Sequence, residues 1–283
     1  MPVEHLSNAK PARHIETPSP GSPFSIAWQD LVESLERSSV WIHAGWIDIV
    51  WQFRRTLIGP FWHTISLAAF VIVMGVLWGS MLGQDPVEHF RFVGTGLIVW
   101  TLISSFIMNG AGCLISGQGT ALQTRFPYMA FAFGNVWRAL LLFGHHIVLY
   151  ILLIVFTLHW PGWKLFLVFP AMLLLLANGI WVSLLFGMMS LRRRDLVPAV
   201  SSAMQIMMFV TPVFWPKDRL GSKLAYIADL NPLYHMMRIL RDPMLGLLPP
   251  LTSWMWTGGS LIVGTAITFW FYGRYRDRFA YWY

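Results

Sequence analysis

Residues 51–62 read WQFRRTLIGPFW, and they mark the point at which charge disappears from the chain. Before this stretch charged residues recur every few positions, and after it a long apolar run begins. Arg54 and Arg55 can hold their guanidinium groups among lipid phosphates, while Trp51 and Trp62 favour the headgroup level of a bilayer. We therefore expect the chain to enter a membrane here.

The composition is that of a protein that crosses a membrane several times. Of the 283 residues, 56% are hydrophobic and 12% are charged, whereas a soluble domain carries about 25% charged residues. The formal net charge of +7 does not indicate a nucleic-acid partner, because the basic residues are dispersed between apolar runs. The single cysteine, Cys113, excludes an intrachain disulfide framework and is expected to be a packing residue.

Six stretches after Arg55 lack Asp, Glu, Lys and Arg and are long enough to cross a bilayer, which takes ~20 helical residues for about 30 Å of hydrocarbon. They are 56–84, 92–124, 139–163, 165–191, 196–216 and 243–273. The sequence therefore predicts an all-α integral membrane protein with six transmembrane helices. An even number of spans puts both termini on one side, and a cytoplasmic assignment places most of the 20 Lys and Arg inside.

Three regions follow from these patterns. Residues 1–23 combine prolines with polar residues and predict a flexible cytoplasmic tail. Residues 24–58 predict amphipathic interfacial helices, although a soluble helix pair packed on another domain is an alternative. The apolar positions at helical spacing are Trp28, Leu31, Val32, Leu35, Trp46, Ile49, Val50, Phe53 and Leu57. Residues 59–283 form the predicted six-span transmembrane domain.

Two connecting segments carry further predictions. Residues 116–128 are too polar for hydrocarbon and place Pro127 between two possible short helices, so we expect a short cytoplasmic helix followed by re-entry into the membrane. The outer segment from 211 to 250 mixes apolar residues, Trp, Pro and charge, and predicts short re-entrant helices between spans 5 and 6. In the first span, two overlapping G-x-x-x-G spacings predict close helix packing within the protomer. The glycines are Gly75, Gly79 and Gly83.

The chain is poor in residues that could form an active site. Asp85 and Glu88 could act as an acid and base, but acids in a solvated loop are more often only hydrated. His145 and His146 are adjacent, so both cannot face one metal from a regular helix. The sequence has no G-x-x-x-x-G-K-[ST] loop to cradle ATP phosphates. We expect no catalytic, metal or cofactor site in this chain; if ATP drives the protein, a partner must bind the ATP.

Three short motifs occur in order at the predicted membrane boundaries. They are RRTLIGPFW at 54–62, then RRDLVP at 193–198 followed by Gln205 and FVTPVFW at 209–215, then NPLYH at 231–235. Together they resemble the permease subunits of ABC-2 type polysaccharide exporters, the O-antigen and capsule exporter family. The resemblance extends from about Trp51 to the end of the chain.

The resemblance implies one half of a homodimeric channel that pairs with two cytoplasmic ABC ATPase subunits, which would bind the ATP and Mg²⁺. The cargo would be a lipid-linked polysaccharide moving across the bacterial inner membrane, with both termini of this multi-pass chain cytoplasmic. Aromatic residues, 16% of the chain, would offer ring faces along which sugars slide.

The resemblance also implies roles for particular residues. Coupling to the ATPase falls to the 116–128 segment, braced by the surface helix at 28–57, and its named residues are Thr124, Arg125, Phe126, Pro127 and Tyr128. The residues expected to meet the lipid headgroup are Trp51, Arg54 and Arg55, since Arg pairs bidentately with phosphate. The expected outer gate region contains Phe214, Trp215, Asn231, Pro232 and Tyr234.

Two alternatives to this function remain open from the sequence. The same spans would suit an ABC-2 permease whose cargo is teichoic acid, a lipid or a drug. A membrane-embedded glycosyl- or acyltransferase is a different class, in which Asp85, Glu88 or His145 would be catalytic.

Overall fold

The computed structural model of the chain describes residues 22–83, 85–123, 126–217 and 222–282. Helices dominate these ranges, which contain no strand. The α-helices are α1 (Pro23–Glu36), α2 (Ser38–Phe53), α3 (Phe61–Leu82), α4 (Pro86–Ser116), α5 (Gln118–Gln123), α6 (Met129–Thr157), α7 (Val168–Arg192), α8 (Leu196–Val210), α9 (Ser222–Leu230), α10 (Pro232–Met244), α11 (Leu251–Tyr275) and α12 (Phe279–Trp282). Short 3-10 helices at Gly162–Leu167 and Arg276–Arg278 precede α7 and α12. Most of the predicted tail, residues 1–21, lies outside the described residues.

Three helices begin with the same local chemistry, a polar cap followed by proline. The side chains of Ser22, Asp85 and Asn231 accept hydrogen bonds from first-turn amides of α1, α4 and α10, respectively. The proline that follows each cap has no amide hydrogen to leave unsatisfied and has a fixed φ that suits the first helical turn. These starts are therefore determined by adjacent residues.

Four helices in the described residues are long and apolar enough to cross a membrane. They are Phe61–Met81 within α3, α4, α6, and Gly162–Arg192, which joins a 3-10 helix to α7. All four overlap predicted charge-free stretches. The two other predicted spans overlap α8, which has 15 residues, and α11, which has 25. At 1.5 Å per residue α8 rises about 22 Å, less than the ~30 Å of bilayer hydrocarbon.

Two of these helices begin before the charges that limited the predicted spans. The prediction for the second span began at residue 92, but α4 begins at Pro86 and includes Arg91. Similarly, α6 begins at Met129 rather than at 139 and includes Arg138. The Arg138 guanidinium donates a hydrogen bond of 2.6 Å to Gln52 Oε1 of α2. The arginine therefore has a polar partner in the bundle, and the helix continues through it.

The 116–128 segment contains one short helix and then leads into a long one, which fits the predicted short helix followed by re-entry. The short helix, α5, precedes Pro127 as expected. The second possible short helix is the start of the long helix α6, two residues beyond Pro127. A proline immediately before a helix is compatible with it because the fixed φ and missing amide hydrogen cost nothing there.

The apolar side of α1 faces away from the bundle. The side chains that α1 buries are small or polar: Ala27, Asp30 and Ser34. Trp28 and Leu35 are exposed, and α1 packs on α6 and α11. This arrangement is the reverse of a soluble amphipathic helix and suits a helix that lies against lipid. The sequence pattern predicted the amphipathic helix and its apolar positions but did not predict the burial of Asp30.

The centre of the bundle is α4, which contacts α3, α6, α7, α8 and α10. It approaches α7 closely at Gly110, where an added Cβ would lie 2.6 Å from Ser183 Cα. The Ser183 hydroxyl donates to Phe106 O at 2.9 Å and accepts from Asn135 Nδ2 at 2.9 Å. Ser183 therefore joins α7 to both α4 and α6. Cys113 is buried beside this contact, as expected for a packing residue.

The glycines of α3 have two different functions. A Cβ at Gly75 would lie 2.8 Å from the Phe90 ring, and one at Gly79 would lie 3.5 Å from His89, both on α4. These two positions confirm the predicted close packing within the protomer. Gly83 instead ends α3 with φ of +59°, which a residue with a side chain adopts only at a cost.

Candidate functional site

The predicted coupling segment is held against the bundle by aromatic contacts. Phe126 meets Phe131 of α6 edge to face, with ring centroids 5.2 Å apart. Tyr128, at the N-cap position of α6, meets Phe279 of α12 in the same way at 5.2 Å. Pro127 between them is buried. Thr124 and Arg125, the other two residues assigned to coupling, lie outside the described residues.

A buried carboxylate lies directly behind this segment. Asp30 Oδ2 accepts a 3.0 Å hydrogen bond from the Met129 backbone N–H, at the first residue of α6. On the other side, Arg276 Nη2 lies 3.6 Å from Asp30 Oδ1, and the Tyr272 hydroxyl also interacts with the carboxylate. Burial raises the pKa of the Asp30 carboxyl above its usual range, and these three partners partly oppose that shift.

Sequence reasoning missed this cluster, although one signal was present. Ala27, Asp30 and Ser34 recur at helical spacing and form a small, polar stripe on α1. Such a stripe allows close packing of a helix whose larger apolar side chains are exposed. The partners could not be read from the sequence, since Met129 and Arg276 are far away along the chain.

The predicted headgroup residues lie together on an exposed turn. Trp51 is exposed in the last turn of α2, and the Arg54 guanidinium lies 4.9 Å from the centroid of its ring. Arg55 is also exposed. The turn that follows is closed by Thr56, whose hydroxyl donates to Phe53 O at 2.9 Å and accepts from Gly59 N at 3.1 Å. The two guanidinium groups are therefore displayed on a structured turn at the start of α3.

The predicted outer gate residues lie on two segments that hydrogen-bond to each other. Asn231 Nδ2 donates to Thr211 Oγ1 at 2.8 Å, while its Oδ1 caps α10 by accepting from Leu233 N. Pro232 follows at the first helical position. Tyr234, in the same first turn of α10, is buried.

The turn after α8 is fixed in the bundle by Phe214 and its neighbours. Phe214 is fully buried. Its ring stacks on Trp78 with centroids 6.3 Å apart and meets Phe70 edge to face with centroids 6.1 Å apart. Trp215 is partly exposed and its Nε1 donates to Phe209 O. Of these two aromatic residues, Trp215 is therefore the more accessible one in this conformation.

Sequence reasoning also missed a buried charge that anchors the same turn. Arg241 of α10 is 4% exposed. Its Nη1 donates to Pro212 O at 2.8 Å, and its guanidinium lies 4.3 Å from the Phe92 ring centroid of α4. Arg241 thus ties α4, α10 and the turn together through a cation–π contact and a charge-assisted hydrogen bond.

Asp85, His145 and His146 each make a polar contact. Asp85 Oδ1 accepts from Val87 N at 2.7 Å and from Glu88 N at 3.3 Å, so its carboxylate caps α4. His145 Nδ1 lies 2.9 Å from Leu141 O in its own helix. His146 lies 3.3 Å from the Thr101 hydroxyl of α4. Among the described residues, no group of three or more His, Cys, Asp or Glu is arranged to hold a metal ion.

Comparison with known proteins gives consistent matches over most of the chain. The family described as ABC-2 type transporter matches residues 43–245. An O-antigen export system permease protein RfbA of Klebsiella pneumoniae is 24% identical over 200 residues, covering 69% of this chain and 76% of the relative. A protein of the same name from Myxococcus xanthus is 23% identical over 189 residues, covering 66% of this chain and 72% of the relative. A second such protein of Klebsiella pneumoniae is 22% identical over 200 residues.

Proposed function

This chain belongs to the ABC-2 type transporter family, and we propose that it is the permease subunit through which a lipid-linked polysaccharide leaves the bacterial cytoplasm. The observation that carries the proposal is the name shared by the three relatives, O-antigen export permease, over 66–69% of this chain. The abundance of aromatic side chains, 16% of residues, is in keeping with a sugar cargo because ring faces contact sugars without binding them tightly.

The finer topology is part of the proposal. Six spans cross the inner membrane, with α8 and α11 as the fifth and sixth and with both termini in the cytoplasm. The short helix α8 is extended across the membrane by the buried turn at residues 211–214. The helices α9 and α10 are then re-entrant from the outer side. The distribution of Lys and Arg supports this orientation, since short cytoplasmic loops carry an excess of positive charge.

A homodimeric passage is supported by the exposed side of α8. Gln205 is exposed on this helix beside the exposed apolar residues Ile206 and Phe209. A carboxamide facing lipid would have no hydrogen-bond partner, which is costly in hydrocarbon. A second copy of the chain, or a water-filled passage between the two copies, removes that cost. We therefore place α8 at the interface of two protomers.

Energy is supplied by two cytoplasmic ABC ATPase subunits that bind the ATP and Mg²⁺. They dock on α5 and the following residues to Tyr128, where aromatic contacts connect the segment to the bundle. The exposed residues Arg54 and Arg55, with Trp51, receive the phosphate-linked lipid headgroup at the inner leaflet. The segments that carry Phe214 and Asn231 form the outer gate.

The proposal is tested by deleting the gene in the source bacterium and following the location of its polysaccharide. We expect surface polysaccharide to disappear and lipid-linked polymer to accumulate inside, with both effects reversed by a plasmid copy. An Asp48→Asn copy is a matched control, because this carboxylate is exposed on α2. Unchanged surface polysaccharide in the deletion strain would contradict the proposal. Loss of teichoic acid, of a lipid or of drug resistance instead would identify one of the other ABC-2 cargoes.

A further inference from the structure

The first turn of α6 is capped by a residue of another helix. A helix begins with amide N–H groups that have no acceptor inside the helix, and here Met129 is the first helical residue. Its N–H donates to Asp30 Oδ2 of α1 at 3.0 Å. A carboxylate at this position also interacts favourably with the positive end of the helix dipole. The cap lies immediately after the segment proposed to contact the ATPase.

The same carboxylate connects α6 to the C-terminal end of the chain. The Asp30 side chain is fully buried, and Arg276 Nη2 is 3.6 Å from its Oδ1. Tyr272 of α11 is fully buried beside them. A buried carboxylate is costly unless it is paired, so its position is not a consequence of simple apolar packing. Three separate parts of the chain, α1, α6 and the end of α11, therefore meet at one charged group.

The polar contacts around Asp30 are incomplete in this conformation. Asp30 Oδ1, the Tyr272 hydroxyl and Arg276 Nε are buried and have no hydrogen bond of standard geometry to another described residue. The Arg276–Asp30 distance of 3.6 Å would shorten to a charge-assisted hydrogen bond of about 2.8 Å after a shift of less than ~1 Å. A small displacement of α6 would therefore change the pairing of Asp30 with α11.

The apolar packing around the group is close. Ala27 and Phe279 are fully buried near this contact, and Phe279 meets both Tyr128 and Tyr272 edge to face. A Cβ added at Gly273 would overlap the backbone of Pro23, so α1 lies directly on α11. A displacement at the start of α6 has no space in which to be absorbed locally.

We propose that Asp30 is a positioning residue for coupling, which carries movement of the ATPase-docking segment from the first turn of α6 to α1 and to the end of α11. This inference rests on the proposed function, since it requires an ATPase that docks on α5. It assigns a role in transport to the N-terminal interfacial helix through one carboxylate. Without that carboxylate, the docking segment moves but α1 and α11 do not follow.

The test is hydrogen exchange on the complex of this chain with its ATPase in lipid nanodiscs, with and without ATP and Mg²⁺. In the wild-type complex we expect nucleotide to change exchange at α5 and the start of α6, and also at 23–36 and 272–282. In Asp30→Ala the change at α5 should persist and the change at the two distant segments should be lost. Asp48→Asn is the matched control, an exposed carboxylate on the next helix that should behave as the wild type.

A second variant separates positioning from folding. Asp30→Asn keeps an acceptor oxygen for the Met129 N–H but loses the charge that attracts Arg276. It should assemble as the wild type, keep slow exchange at the start of α6 and lose the response at 272–282. Polymer exported per ATP hydrolysed should fall on the order of tenfold in Asp30→Ala, the factor expected for loss of one hydrogen bond to a charged group.

The outcomes distinguish this inference from the proposed function. A full response at both distant segments in Asp30→Ala and Asp30→Asn would overturn the positioning role, as would a wild-type response confined to α5. If the wild-type complex exports no polysaccharide while the exchange pattern follows our expectation, the proposed cargo is wrong and the role of Asp30 stands.

Discussion

Replacing Gly110 by alanine tests the contact between α4 and α7 at the centre of the bundle. The new Cβ would lie 2.6 Å from Ser183 Cα and 2.9 Å from Ser183 Cβ, distances that only a backbone shift can relieve. Overpacking of this kind costs about 1–3 kcal/mol. The control is Gly112→Ala on the same helix, where no described atom lies within 4 Å of the new Cβ.

The comparison of the two variants gives the free-energy cost of the contact with Ser183. Both gain the same ~0.5–1 kcal/mol of helix propensity from the replacement of glycine, so the difference between them is the cost of the contact with Ser183. At about 2–4 °C per kcal/mol, Gly110→Ala should unfold several degrees below Gly112→Ala. The measurement is the apparent unfolding temperature of each purified variant in the same detergent or nanodisc. A Gly110→Ala protein that unfolds at or above the temperature of Gly112→Ala would refute the close approach of α4 and α7.

Three further predictions concern charge and coupling. Replacing both Arg54 and Arg55 by lysine should leave membrane insertion unchanged but lower surface polymer, since lysine keeps the charge and loses bidentate phosphate pairing; full surface polymer would show that the pair only anchors α3. Replacing Tyr128 by alanine should uncouple hydrolysis from export without loss of insertion, measured as polymer exported per ATP consumed; an unchanged ratio would place the docking contact elsewhere. The pKa of the Asp30 carboxyl is raised in the folded state above the ordinary value of 3.8, so the folded state binds this proton more tightly than the unfolded state, and the resulting stabilisation is lost as pH rises from 3.8 through the raised pKa. Asp30→Asn should therefore remove this pH dependence from the unfolding temperature. An identical pH dependence in both proteins would contradict the prediction.

Local patterns predicted the long helices because the information for them is local. A charge-free run longer than a bilayer crossing forms a helix wherever it lies, which is why α3, α4, α6 and α7 were anticipated. Their ends were less accessible to this reasoning. Arg138 was taken as the charge that precedes an apolar stretch, yet it lies within α6, where its guanidinium donates a hydrogen bond to Gln52, 86 positions earlier in the chain.

The candidate site was predictable only in part, for the same reason. The exposed turn with Arg54 depends on neighbouring residues, and the structure places its members together. The burial of Phe214, the bond from Asn231 to Thr211 and the capping of α6 by Asp30 depend on partners from other helices. Tertiary packing decides such contacts. A helical pattern in the sequence predicts which side of a helix is buried, but it does not predict which helix packs against that side.

The most direct test of the account is transport by purified components. This chain and its ATPase would be reconstituted into vesicles that contain fluorescently labelled lipid-linked polysaccharide, and a quencher on the accessible side would report its movement. The account predicts movement that requires ATP, Mg²⁺ and both proteins, and none with this chain alone. Movement of the polymer without the ATPase, or hydrolysis by the complete complex with no movement of the polymer, would contradict it.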